Sequence, residues 1–182
     1  MIFRKTKIKD VVICEPEIYG DERGYFIESF NKKEFEKNIG EKIFFCQDNE
    51  SKSTYGVLRG LHFQKPPYTQ SKLVRVIEGK VLDVVVDLRK KSNTFGEHIA
   101  VVLDDEFKRQ LFVPKGFAHG FVVLSETAVF SYKVDNYYNA SSEDGVIFND
   151  TSLNIDWNLP FKDIKLSEKD KINNKFIDAY KF

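Results

Sequence analysis

The chain has 182 residues, 42% hydrophobic and 31% charged, which suits one domain (1–182) large enough to bury its own core. Lys plus Arg and Asp plus Glu both number 28, a balance that gives no electrostatic footprint for nucleic acid or an anionic membrane. The N-terminus, MIFRKTKIKD, has charge where a signal peptide needs an apolar run, and no segment approaches the roughly 20 apolar residues of a membrane span.

In chain order, VVICEPEIYGDERGYF and KIFFCQDN read as strands broken by Gly, Pro, Asn and Asp. Between them KKEFEKNIG, closed by Gly40, predicts a short helix. Cys14 and Cys46 make no CxxC, which fits reduced, buried thiols in a cytoplasmic protein. The stretch GVLRGLHFQ follows. Strict pleating from Val57 points Arg59 and His62 to opposite faces, but Gly60 between them predicts a bulge that brings both to one side. KLVRVIEGKVLDVVVDLR reads as a hairpin turning at Glu78-Gly79. Lys72, Val74 and Val76 share one face of its first arm, with Arg75 opposite. In the second arm Leu82, Val84, Val86 and Leu88 make a core face. Val81, Asp83, Val85 and Asp87 take the other, which suits either solvent or the lining of a polar pocket. HIAVVLDD, QLFVPKGFAHGFVVLS and AVFSYKV complete the strands, and the last delivers the Tyr132 hydroxyl beside Phe130 and Val134 into an apolar setting. SEKDKINNKF predicts a second short helix. So many short strands with turn signals between them, and so little helix, argue for a β-sandwich or barrel. The 17 Phe and 8 Tyr suit strands and planar-ligand sites, though core filling accounts for most of them.

Of the three histidines, His62 has Arg59 and Lys72 near it in sequence, and a cationic surround favours the neutral, proton-accepting imidazole. His119 lies in VPKGFAHGF, between a turn and an aromatic strand, whereas His98 has no such company and reads as structural or exposed. Histidines on two strands of a small β protein raise the possibility of a metal cupin. The His-x-His pair of such proteins is broken here, since LHFQ has Gln64 two residues after His62, and His62 with His119 is too thin a ligand set. Metal-free acid–base chemistry fits better: His62 removes a proton, Tyr132 returns one from the opposed side, and Asp170 or Asp83 fixes the imidazole tautomer. Lys72 would stabilise charge developing on a substrate oxygen. That equipment suits removal of a proton α to a carbonyl.

The blocks GDERGYFIESFN, QDNESKS, GVLRGLHFQ, QSKLVRVIEGKVLDVVVDLRKKSNTFG, VPKGFAHGFVVLSE, YKVDNYYNASSEDGVIFND and LSEKD, in order from about residue 3 to about residue 172, resemble the dTDP-4-dehydrorhamnose 3,5-epimerases. The resemblance implies an all-β cupin jelly roll (a double-stranded β-helix) with a few short helices. It also implies a homodimer with exchanged N-terminal strands, no metal or other cofactor, and a dTDP-linked 4-keto-6-deoxyhexose as substrate. On it, His62 is the base with Asp170 its partner, Tyr132 the acid, and Lys72 the group beside the 4-keto oxygen. Arg59, Asp83 and His119 line the same pocket, and Arg59 with Arg23 meets the pyrophosphate. Gln47, Asp48 and Asn49, with Glu28, Glu143 and Lys169, fall at further substrate-binding positions. Tyr19, Phe26 and Tyr138 are candidates to stack on thymine or cover the site. One departure is Asn93, where the family commonly has Pro, in a loop expected far from the chemistry. The competing readings are an epimerase of a single carbon or of another nucleotide sugar, and a non-catalytic sugar-nucleotide module, which would need the pocket but not the acid and base.

Overall fold

In the computed structural model, which describes residues 1–182, the apolar runs become thirteen short strands and two helices. They are β1 (Ile2–Lys5), β2 (Val12–Glu15), β3 (Ile18–Asp21), β4 (Gly24–Ile27), α1 (Lys32–Ile39), β5 (Gln47–Thr54), β6 (Leu58–Gln64) and β7 (Lys72–Glu78). There follow β8 (Lys80–Asp87), β9 (His98–Asp104), β10 (Gln110–Val113), β11 (Phe117–Val123), β12 (Thr127–Val134), β13 (Glu143–Gly145) and α2 (Glu168–Lys171). One sheet has the order β1-β2-β10-β7-β12-β5, the facing one β13-β6-β11-β8-β9, and β3 pairs only with β4. All ladders are antiparallel, and from β9 onward the chain alternates between the two sheets, giving the jelly roll the sequence implies.

Three apolar layers follow from strand alternation. Val74 and Val76 of β7, Val81 and Val85 of β8, Phe117 and Phe121 of β11, and Phe130 of β12 fill the space between the sheets. The outer face of the five-stranded sheet, with Leu82, Val84 and Val86, is covered by Trp157, Ile155 and Ala179 of the C-terminal segment. That sheet is therefore buried on both sides. On the outer face of the six-stranded sheet lies α1, capped by Asn31 and closed by Gly40 as its sequence predicts. Its Phe35 is 1% exposed and meets Phe112 edge-on at 5.2 Å, a burial contributing about 1.5–3 kcal/mol.

The hairpin expected at Glu78-Gly79 does not form. Both edges of β7 are occupied by β10 and β12, and both edges of β8 by β9 and β11, so neither has a free edge for the other. Instead the chain turns a corner at Gly79 from one sheet to the other. Its φ is +83°, and a Cβ there would lie 2.1 Å from the Thr127 carbonyl oxygen. The second predicted helix shrinks to the single turn of α2, and Cys46 is half-buried where Cys14 is fully enclosed. No helix is long and apolar enough to cross a membrane.

Candidate active site

The faces that fill the space between the sheets with Val and Phe turn polar at one end, where they open into a cavity of about 470 Å³. Arg59 and His62 come from β6, Lys72 from β7, His119 from β11 and Tyr132 from β12. The predicted bulge is what aligns the first two. The β6–β11 register pairs His62 with His119 and Arg59 with Phe121, so β6 has one residue more than its partner over this span. Gly60 (φ +144°) lies against Gly120, and a Cβ on it would come 2.5 Å from the Gly120 Cα. Close backbone approach without side chains permits the bulge, and Leu58 and Leu61 drop to the opposite, apolar face.

His62 Nε2 meets Asp170 Oδ1 at 2.5 Å, with the carboxylate only 4% exposed. A carboxylate at Nε2 holds a proton there and leaves the Nδ1 lone pair free to accept. Burial pushes the Asp170 carboxyl upward, but the hydrogen bonds from His62 and Ser167 outweigh it and keep the group below the usual carboxylate range. Asp83, fully enclosed, receives His119 Nε2 at 2.9 Å on both oxygens. Burial raises its pKa, against the pull of His119 and Lys72. Asp83 thus faces neither solvent nor the open cavity but is enclosed behind the cavity-lining His119, and the tautomer partner of His62 is Asp170.

Burial lowers Lys72 from 10.5 to about 8, with Asp83 and Glu143 opposing. Burial also raises the Tyr132 phenol, Arg59 countering and Glu143 adding to it, so the hydroxyl keeps its proton near neutrality. Asp83 and Asp170 are hydrogen-bonded to His119 and His62, and Glu143 is ion-paired with Lys169, but Arg59 and Lys72 have no carboxylate partner. Arg59 spends only Nε, donating to Ser53 Oγ at 3.1 Å, which leaves the outer edge of its guanidinium free for an anion. The cavity can therefore accept a proton, donate one, and hold negative charge at two fixed cations.

The other candidates divide into those at the rim and those elsewhere. Glu143 pairs with Lys169, and it accepts Tyr138 Oη at 2.6 Å; burial raises its pKa, but Lys169 and Tyr138 hold it low. Gln47 and Asn49 lie on the inward-facing side of β5, joined at 2.8 Å, Asn49 opposite Tyr132. Asp48 does not join them. Alternation along β5 turns it outward to Lys133 at 2.8 Å, away from the cavity. Tyr19, Arg23 and Phe26 lie on the β3–β4 hairpin, outside this chain's cavity, with Arg23 paired to Asp21 and 85% exposed. Glu28 accepts from Asn31 at the start of α1 and is likewise remote. Gln64 turns from the cavity, donating to the Tyr68 and Tyr137 carbonyls and accepting Asn139 N–H. Nowhere do three or more His, Cys, Asp or Glu side chains converge as a metal would need. Glu50, Ser51, Lys165 and Ser167 line the cavity without having been singled out. For Ser167 a signal existed: SEKD is a capping-box pattern, which places its hydroxyl against residue 170.

The family model described as dTDP-4-dehydrorhamnose 3,5-epimerase matches residues 5–178. A dTDP-4-dehydrorhamnose 3,5-epimerase of Shigella flexneri is 55% identical over 175 residues, 96% of each chain. The crystal structure of the Elizabethkingia anophelis enzyme of that name superposes with a TM-score of 0.94 at 57% identity, covering 98% of this chain and 97% of that one. A dTDP-6-deoxy-D-glucose-3,5-epimerase of Legionella pneumophila, solved with dTDP-4-keto-L-rhamnose, gives 0.94 at 48% identity over 97% and 93%. Sequence and fold agree along nearly the whole length, and the chain belongs to the dTDP-4-dehydrorhamnose 3,5-epimerase family.

Proposed function

We propose that the cavity inverts C3 and C5 of dTDP-4-dehydro-6-deoxy-D-glucose, giving dTDP-4-dehydro-L-rhamnose for dTDP-L-rhamnose biosynthesis. The observation that carries this is one shared cleft holding the His62–Asp170 pair, the Tyr132 hydroxyl and an ammonium, Lys72, free of any ion pair. The 4-keto group acidifies the protons on C3 and C5. His62 Nδ1 takes one, and the C–H electron pair moves into an enolate whose oxygen Lys72 stabilises. Tyr132 then protonates the carbon from the other face, and the same exchange at the second carbon completes the double inversion. Proton from Tyr132 and proton to His62 balance within each inversion, and between the two the imidazolium gives a proton to solvent while the phenolate takes one back, so the reaction is a pure isomerisation. Asp170 supports the charged imidazole. Arg59 takes the diphosphate, with His119, Asp83, Glu143, Lys169, Gln47 and Asn49 setting the sugar and Tyr138 covering the rim.

The reading includes a homodimer. The β3–β4 hairpin is hydrogen-bonded to no other strand, and Ile18, Tyr19, Tyr25 and Phe26 are exposed along it. An exposed apolar hairpin favours an interface. Beside the cavity, β5 is an open sheet edge. Docked there, the hairpin of one copy brings Arg23, Tyr19 and Phe26 to the cleft of the other, with Glu28 at its base. Balanced charge and a small anionic substrate support a cytoplasmic enzyme without nucleic-acid partners.

Turnover in deuterated water tests the reading. The expected result, by NMR of the nucleotide sugar, is solvent label at both C3 and C5 of an L-configured product. Label confined to C3 makes the protein a monoepimerase, and no label at either carbon refutes the chemistry.

A further inference from the structure

We infer that Ser167 is a positioning residue for the His62–Asp170 pair, locking the carboxylate whose other oxygen meets the imidazole. Its hydroxyl donates to Asp170 Oδ2 at 2.9 Å and accepts the Asp170 backbone N–H at 3.1 Å. One oxygen atom therefore ties both the main chain and the side chain of residue 170. Oδ1 is committed to His62 at 2.5 Å, so both oxygens of this nearly enclosed carboxylate are held. Rotation about its terminal bond would break both bonds together. The lock matters because His62 sits on β6, a strand buried in the rigid sheet, whereas Asp170 sits on a helix of only four residues. Such a short element has little propensity of its own to hold a side chain in register.

Water entering the place of the hydroxyl could still donate to Oδ2, but it would not be tied to the backbone, so direction is lost even where solvation is kept. Without the fixed donor the carboxylate also holds a proton more readily, since Ser167 is one of the groups that keep Asp170 low. Other charges face the pair from several elements: Lys169 from α2, Glu143 from β13, Arg59 from β6, Lys72 from β7, and Lys165 from the segment before α2. All of them stay in place when Ser167 alone is changed.

The inference rests on the epimerase reading, and the two fail separately: turnover by the unaltered enzyme tests the reading, and a series at position 167 tests the lock. Ser167→Ala removes both bonds. Ser167→Gly removes the hydroxyl while retaining most of the cap's effect on helix stability. Ser167→Thr restores both bonds. The expected result is a fall in kcat of about tenfold in the Ala and Gly variants, with KM within about twofold of the parent. Thr should return kcat to the parent value. Parent-like kcat in Ser167→Gly, or a loss in Gly that Thr does not recover, would overturn the assignment and leave Ser167 a helix cap.

Discussion

Lys72 offers the sharpest test of the electrostatics. Burial brings its ammonium down from 10.5 to about 8, Asp83 and Glu143 holding it back from falling further. A lysine stabilises an enolate only while charged, so the useful form is present below pH 8 and lost above it. At pH 7 about ten ammonium groups stand for each neutral amine, and at pH 9 the ratio is reversed. The free enzyme's kcat/KM should therefore be halved near pH 8 and fall about tenfold for each further pH unit. Tyr132 does not account for such a limb, because burial raises its phenol above the ordinary value of 10. Bound substrate brings an anionic diphosphate into the same cleft, so the corresponding limb of kcat should lie at higher pH than that of kcat/KM.

Initial rates in a reductase-coupled NADPH assay, at constant ionic strength and with excess coupling enzyme, give both profiles. In Lys72→Arg the guanidinium does not deprotonate, so the limb near pH 8 should vanish even though the bulkier fork lowers the plateau. Lys72→Met should lose about 10²–10³-fold in kcat, the scale of removing one preorganised oxyanion donor, and show no limb there either. A limb near pH 8 that survives unchanged in Lys72→Arg would refute the assignment of that ionisation to Lys72.

Tyr132→Phe keeps the ring beside Phe130, 6.2 Å between centroids, while removing the acid. In deuterated water it should still exchange the substrate's α protons through His62 but invert them at least about 10²-fold more slowly; loss of exchange in step with inversion would contradict separate faces. The crossed-hairpin dimer is tested by mixing two inactive variants, His62→Ala and Arg23→Ala. If each hairpin serves the other copy's cleft, half of a randomly mixed population has one intact site of two, and about a quarter of parent activity should return; no recovery would place the hairpin against its own cleft.

Local pattern was enough wherever the chemistry depends on alternation and one glycine. Arg59, His62, Lys72 and Tyr132 fall to an inward face by alternation because β6 departs from it only at Gly60, while the irregularity of the β7–β12 ladder, between Val129 and Phe130, lies beyond Lys72 and Tyr132. Asp83 was ambiguous for a physical reason. A strand buried on both faces offers aspartate two enclosed sides, and only the partner at 2.9 Å, the cavity-lining His119, tells which of them it takes. The corner at Gly79 reads as a hairpin in sequence because a turn within a sheet and a step between sheets need the same Glu-Gly chemistry, and what distinguishes them is which strand edges are already taken. A resemblance carries a motif as a block, whereas a strand sends neighbouring residues to opposite faces, so Asp48 points away from Gln47 and Asn49. Arg23, Tyr19 and Phe26 are a different case: sequence names the residues but not which copy's cleft they enter. Ser167 was missed although its spacing to Asp170 is a recognisable cap, because a cap is ordinarily read as local stability and not as part of a site.

The pairing of His62 with Asp170 spans 108 residues, and the way that distance is bridged explains why packing and chemistry cannot be separated in this fold. The C-terminal segment first covers the outer face of the five-stranded sheet with Ile155 and Trp157. It then meets the start of β6 in a parallel bridge between Val57 and Lys165, with Leu58 N–H donating to the Lys165 carbonyl at 2.9 Å and Lys165 N–H to that of Gly56 at 2.8 Å. From that tie, His62 is five residues beyond Val57 on β6 and Asp170 five residues beyond Lys165 on α2, so little chain separates either partner from a common anchor. On the far side of Asp170, Asn173 Nδ2 donates to the Gly60 carbonyl, and Ile147 N–H donates to the Asn174 carbonyl at 2.8 Å. The carboxylate is thus suspended between two attachments to the same sheet that carries the imidazole. A segment whose apolar part buries that sheet's outer face also carries the carboxylate that reaches Nε2, which ties the geometry of the pair to the integrity of the core beneath it.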